Sequence, residues 1–131
     1  KRNADNAVTV LQTARSLGIQ VMSGTDTGNS PVMPYGVFHA HEAEVMVKFG
    51  GYTPMEAITA STKDNAYSVG MEGELGVIES GKLADLLILD ADPLEDIRVL
   101  QGGKHLSSVI KDGRRVDLSA QPEEETVLAL R

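Results

Sequence analysis

The stretch Ile19-Gln20-Val21-Met22-Ser23-Gly24-Thr25-Asp26-Thr27-Gly28 begins apolar and ends in a polar, glycine-rich turn that carries a carboxylate. Ile19, Val21 and Met22 predict a short strand, and the glycines at 24 and 28 mark its end. Just upstream, Ala4, Ala7, Val8, Leu11, Ala14 and Leu17 recur at spacings of three and four, which predicts a helix over residues 3–17 with Gly18 as its stop. Helix and strand are joined by almost no loop, so residues 3–28 read as an α-then-β unit ending in a turn.

Downstream, residues 29–36 hold Pro31 and Pro34 and read as a loop. A second helix is predicted over residues 37–49, with Ala40, Ala43, Met46 and Val47 on one face and Gly50-Gly51 at its end. Thr53-Pro54-Met55-Glu56 is a strong start signal for a third: an N-cap threonine, a proline at the first helical position and a glutamate placed to close a capping box. The helical pattern hesitates at Ser61 and Thr62, then resumes as far as Gly70. Beyond it, Asp85-Leu86-Leu87-Ile88-Leu89-Asp90 reads as a buried strand, and Asp112-Gly113 between Val109-Ile110-Lys111 and Arg114-Arg115-Val116 as a tight β-hairpin. Met22, Met46 and Met55 are expected in the core.

The 131 residues, 41% of them hydrophobic and 24% charged, suit a core-forming chain rather than a disordered one. The formal net charge of −7 repels phosphate backbones and anionic lipid, so neither nucleic acid nor a membrane is an expected partner. No apolar run approaches the roughly 20 residues that span a bilayer. The absence of cysteine excludes disulfides and thiolate metal sites.

The order of these segments is more specific than any one of them. Gly24-Thr25-Asp26, a loop, a helix, then Thr53-Pro54-Met55-Glu56-Ala57-Ile58 leading to Asn65-Ala66 and Gly70, resembles the last barrel unit of the amidohydrolase superfamily. Leu75-Gly76-Val77-Ile78-Glu79-Ser80-Gly81-Lys82-Leu83-Ala84-Asp85-Leu86 resembles the linker by which those enzymes return to a small β-sandwich. Asp92-Pro93-Leu94 and Val109-Ile110-Lys111-Asp112-Gly113 extend the likeness, which covers residues 7–116 and is nearest to the imidazolonepropionase and prolidase-type branch. Many of those relatives carry Pro-His-Gly where this chain has Pro34-Tyr35-Gly36, so the likeness does not name a substrate.

The resemblance implies an α/β chain: the last α-β-α portion of a (β/α)8 barrel over residues 1–72, part of a small β-sandwich domain over 73–118, and an acidic tail over 119–131. It implies a parent enzyme that hydrolyses amide bonds of a dipeptide or cyclic amide with a divalent metal, zinc being the expected ion. Asp26 resembles the last-strand aspartate, and residues at the C-terminal ends of barrel strands point into the catalytic mouth. Asp26 is therefore the expected catalytic residue, as metal ligand and proton shuttle, with Asn29, Ser30 and Tyr35 bordering substrate. Taken alone, an aspartate after a strand is more often a turn former.

His39-Ala40-His41-Glu42 invites a metal reading, but positions two apart on a helix lie about 200° round the axis and do not converge on one ion. The remaining ligands of such a site have no counterpart among the three histidines, and the chain starts at Lys1 already in a helical pattern. The expectation is a piece of a longer, cytoplasmic enzyme, inactive and without bound metal by itself, that self-associates or pairs with a missing upstream chain. The competing expectation is a non-catalytic, self-associating α/β module.

Overall fold

The computed structural model describes residues 2–27 and 38–120. Helix α1 spans Arg2–Ser16, α2 His39–Gly50, α3 Pro54–Ser61 and α4 Lys63–Ser68; strands β1 (Leu86–Leu89), β2 (Leu106–Lys111) and β3 (Arg114–Arg115) follow, with short 3-10 turns at Ile97–Leu100 and Leu118–Ala120. The chain is thus α/β, with its helices first and one small antiparallel sheet after them, ordered β1-β2-β3.

Each helix end has a local cause. Gly18 adopts a left-handed φ of 69°, and the Gly18 and Ile19 N–H groups donate to the Arg15 and Ala14 carbonyls at 3.0 and 2.9 Å, closing α1 with two orphan carbonyls satisfied. Gly51 ends α2 in the same way at φ 73°. The capping box expected at Thr53 forms: the Glu56 N–H donates to Thr53 Oγ1 at 3.3 Å, and the Thr53 N–H donates to Glu56 Oε2 at 2.7 Å. The hesitation after Ser61 is a real break, since Thr62 leaves helical geometry (φ −122°, ψ −82°) and α4 restarts at Lys63. In the hairpin, Asp112 and Gly113 take φ of 50° and 72°, the pair of left-handed values a type I′ turn requires, with Lys111 facing Arg114.

The core is small. Ala43, Met46, Ala57, Ala60 and Ile97 are its buried members, with Val21, Val47, Tyr52, Ile58 and Leu100 packed around them. Alanines between α2 and α3 let the two backbones approach, and the 3-10 turn delivers Ile97 to the same cluster. Gly50 serves the α1–α2 contact, because a Cβ there would stand 2.6 Å from Leu11 Cδ2. Gly76 has φ 89°, and a Cβ there would meet Ala66 Cβ at 2.8 Å and Lys63 Cα at 2.9 Å. The turn after α4 therefore lies directly against that helix's first residues.

Three expectations are corrected here. Residues 18–26 run without a strand partner among the described residues, so Ile19, Val21 and Met22 form an extended segment rather than a laddered strand. The segment at Leu86–Leu89 is a strand but not a buried one: Leu87 and Ile88 are 60% and 46% exposed, since β1 pairs along one edge only and nothing among the described residues covers its centre. Of the three methionines expected inside, only Met46 is buried (3% exposed), while Met22 and Met55 reach the surface. The acidic tail lies outside the described residues beyond Ala120.

One electrostatic clasp ties α1 to α3. The Arg15 guanidinium donates to both Glu56 carboxylate oxygens at 2.8 and 3.0 Å and lies 4.5 Å over the Tyr52 ring. The Thr53 backbone N–H, with help from Arg15 and the Thr53 hydroxyl, holds the Glu56 carboxyl at about 2. A depressed carboxylate contributes stability that is present above its unfolded value of 4.5 and lost as pH falls through about 2. Acid titration followed by circular dichroism is thus expected to show helix loss below pH 4.5 that is shallower in Glu56→Gln, whose baseline stability at neutral pH is the lower. Separately, Gly76→Ala is expected to destabilise by about 2 kcal/mol or more in denaturant titration, because it combines a left-handed backbone with overlap onto Lys63 and Ala66.

Candidate active site

The extended segment after α1 is seated by polar contacts as well as by Val21. Gln20 Nε2 donates to Asp64 Oδ1 at 2.8 Å and Asn65 Nδ2 donates to Ser23 Oγ at 3.1 Å, so two consecutive residues of α4 hold it. Exposure alternates along it with period two: Val21, Ser23, Thr25 and Thr27 are half-buried, and Met22, Gly24 and Asp26 are exposed. The half-buried row includes Val21 against the core, so it is the side towards the helices. Asp26 belongs to the other side, at the C-terminal end of the segment.

Asp26 has an unusual backbone. Its φ is 49°, and with Asp112 it is one of two non-glycine residues at positive φ among the described residues. Asp112 is explained by its hairpin. At Asp26 the flanking hydroxyls bridge the turn: Thr25 Oγ1 and Thr27 Oγ1 lie 2.9 Å apart, and the Thr27 N–H donates to Thr25 Oγ1 at 3.4 Å. Aspartate tolerates the left-handed region better than most residues, yet such values in a non-glycine residue cluster at functional sites.

The other candidates lie outside the described residues or on α2. Asn29, Ser30 and Tyr35 lie outside the described residues. His39 and His41 sit two apart in α2, and His41 Nδ1 approaches Glu44 Oε2 of its own helix at 3.7 Å. Partial burial pushes the Glu42 carboxyl above its usual range. Among the described residues no three of His, Cys, Asp and Glu are grouped so as to hold a metal ion. Asp26 offers one hard oxygen donor suited to a divalent cation, and the described residues do not complete a site around it.

What the sequence reading passed over was the hydroxyl row. The spacing of two between Ser23, Thr25 and Thr27 along an extended segment is itself a signal for one shared face.

The amidohydrolase family model matches residues 2–116. The chain belongs to the amidohydrolase family. It is 38% identical over 112 residues to the ochratoxinase of Aspergillus niger, which covers 85% of this chain and 22% of that protein. It is 44% identical over 63 residues to an imidazolonepropionase of Rubrobacter xylanophilus, covering 48% of this chain and 15% of that protein. Among solved structures, a putative prolidase from Bifidobacterium longum superposes over 94% of the chain with a TM-score of 0.80 at 35% identity, and the match takes up 29% of that structure. The crystal structure of A. niger ochratoxinase gives a TM-score of 0.77 at 35% identity over 91% of the chain. This amidohydrolase chain spans about a fifth of the length of the ochratoxinase it resembles. The imidazolonepropionase-like and prolidase-like character read from residues 7–116 stands on these relatives. No helix among the described residues is long and apolar enough to cross a membrane.

Proposed function

We propose that this chain is the C-terminal portion of a metal-dependent amidohydrolase that cleaves the amide bond of a dipeptide or cyclic amide, with Asp26 as metal ligand and proton shuttle. One observation carries the reading: the carboxylate stands on the exposed side of an extended segment whose opposite side rests on helices. A (β/α)8 barrel strand has that arrangement, with one face to its helices and the other to the barrel interior, and with catalytic groups at its C-terminal end. The assignment of residues 1–72 to a barrel and 73–118 to a β-sandwich belongs to the same proposal. Relatives described as prolidases and as a Xaa-Pro dipeptidase with methionine in its active site support small amide substrates.

A divalent ion, zinc in this reading, supplies an acidified water when bound. Asp26 then has two tasks within reach of one carboxylate: to accept the water's proton and to return it to the leaving nitrogen. The remaining ligands belong to a part of the enzyme beyond these residues. Asn29, Ser30 and Tyr35 follow closely on Asp26 in sequence, which favours them as a border of the substrate site.

In the complete enzyme, Asp26→Asn is expected to lower kcat/KM on dipeptides or cyclic amides by roughly 10²–10⁴-fold. The 131-residue chain alone is expected to hydrolyse neither and to bind no stoichiometric zinc. Zinc at one equivalent, with hydrolysis abolished by Asp26→Asn, overturns the second expectation.

Large apolar side chains also stand open. Leu17, Ile19, Leu87 and Ile88 are 69%, 57%, 60% and 46% exposed, and unpaired strand edges recruit further strands. Self-association of the isolated chain is expected in light scattering, rising with concentration. A monodisperse monomer across the range counts against it.

A further inference from the structure

The half-buried side of a segment lying on helices is normally apolar, and Val21 obeys that rule. From Ser23 onward it does not. Ser23, Thr25 and Thr27 occupy the same side, and each hydroxyl is engaged: Ser23 by Asn65 Nδ2 at 3.1 Å, Thr25 and Thr27 by one another at 2.9 Å. The Thr25–Thr27 bond spans Asp26, the residue whose backbone is left-handed at φ 49°.

Two mechanical needs coincide here. An extended segment that slips by one residue exchanges its two sides, which would turn Asp26 towards the helices. Apolar packing does not prevent the slip well in this segment, because Val21 and Met22 are adjacent and both apolar. A directional bond from Asn65 to Ser23, three residues before Asp26, does prevent it. The second need is to hold an L-residue in a conformation most side chains avoid, and the bridge between Thr25 and Thr27 does this from the rear.

We propose that Ser23, Thr25, Thr27 and Asn65 are positioning residues for the Asp26 carboxylate: Asn65 sets the register through Ser23, and the threonine bridge sets the turn. The proposal rests on the reading of Asp26 as catalytic and adds how its geometry is fixed. None of the four touches substrate; they act through the backbone that presents the carboxylate.

The test uses the complete enzyme, with Asp26→Asn, Thr27→Val, Thr27→Ser, Ser23→Ala, Asn65→Ala and the Ser23→Ala/Asn65→Ala double variant. Misplacing a catalytic group by a fraction of an ångström lowers kcat rather than binding. Thr27→Val is expected to lower kcat about 10-fold or more with KM within about twofold, while Thr27→Ser recovers most of the rate. Ser23→Ala and Asn65→Ala are each expected to lower kcat, and the double variant to be no slower than the slower single, since one bond is lost in all three. Wild-type kcat in Thr27→Val, or strictly additive losses at 23 and 65, overturns the proposal even where Asp26→Asn is inactive. An active Asp26→Asn enzyme overturns the catalytic reading instead. Should Thr27→Val not fold, the 23–65 cycle decides alone.

Discussion

Close contact between α2 and α3 is the constraint on which the rest of the chain depends. Ala43 and Met46 from one helix meet Ala57 and Ala60 from the other, all 3% exposed or less, and small side chains are what allow that approach. Three otherwise separate pieces converge on this contact. Ile97 reaches it from the C-terminal half, Val21 from the segment after α1, and Tyr52 from the turn between the helices. Replacing an alanine here by anything larger would push α3 away, and with it α4, which follows after one residue. The segment bearing Asp26 is bonded to Asp64 and Asn65 of α4, so strain in the alanine layer would be transmitted to the carboxylate.

Several carboxylates mark the starts of helices and turns. Glu56 caps α3 and receives Arg15; Asp96 accepts from the Arg98 N–H at the start of a 3-10 turn and pairs with the Arg98 guanidinium; Asp85 accepts from the Asp112 N–H and pairs with Lys111 at the base of the hairpin. Glu56 and Asp96 are both held at about 2 by such donors. All three are exposed pairs, worth little each in Coulomb energy. Their contribution is geometric, because each fixes where a helix or turn begins. These three carboxylates therefore serve boundaries rather than the core.

Boundary signals were also what the sequence revealed best. Gly18, Gly51, the Thr53–Glu56 box and Asp112-Gly113 each impose a conformation through their own covalent structure or through a bond to a near neighbour, and each appears where the residues alone place it. Burial was less legible. Leu86–Leu89 is as apolar as a central strand and still exposes Leu87 and Ile88, because burial depends on what covers a strand and the described residues provide no cover. The same holds for Met22 and Met55. At the candidate site, the order of motifs singles out Asp26 as the candidate, whereas the Ser23–Asn65 bond joins residues 42 apart and no local pattern announces it.

That difference separates two kinds of information in the segment from Gly18 to Thr27. Its apolar residues specify only that it lies on the helices. They do not by themselves fix the register, since Val21 and Met22 are adjacent and both apolar. The polar residues reduce the ambiguity: the amide donor on α4 meets the Ser23 hydroxyl, and a slip by one residue would set Met22 or Gly24 opposite Asn65 and leave that donor without its partner. Under the proposed reading, the Asp26 carboxylate has to be placed to within a fraction of an ångström, and dispersion contacts among small side chains are too forgiving to do it. Directional bonds from the extended segment are the physical means available, and in this chain they run from Gln20 to Asp64, from Ser23 to Asn65 and across the turn that carries Asp26.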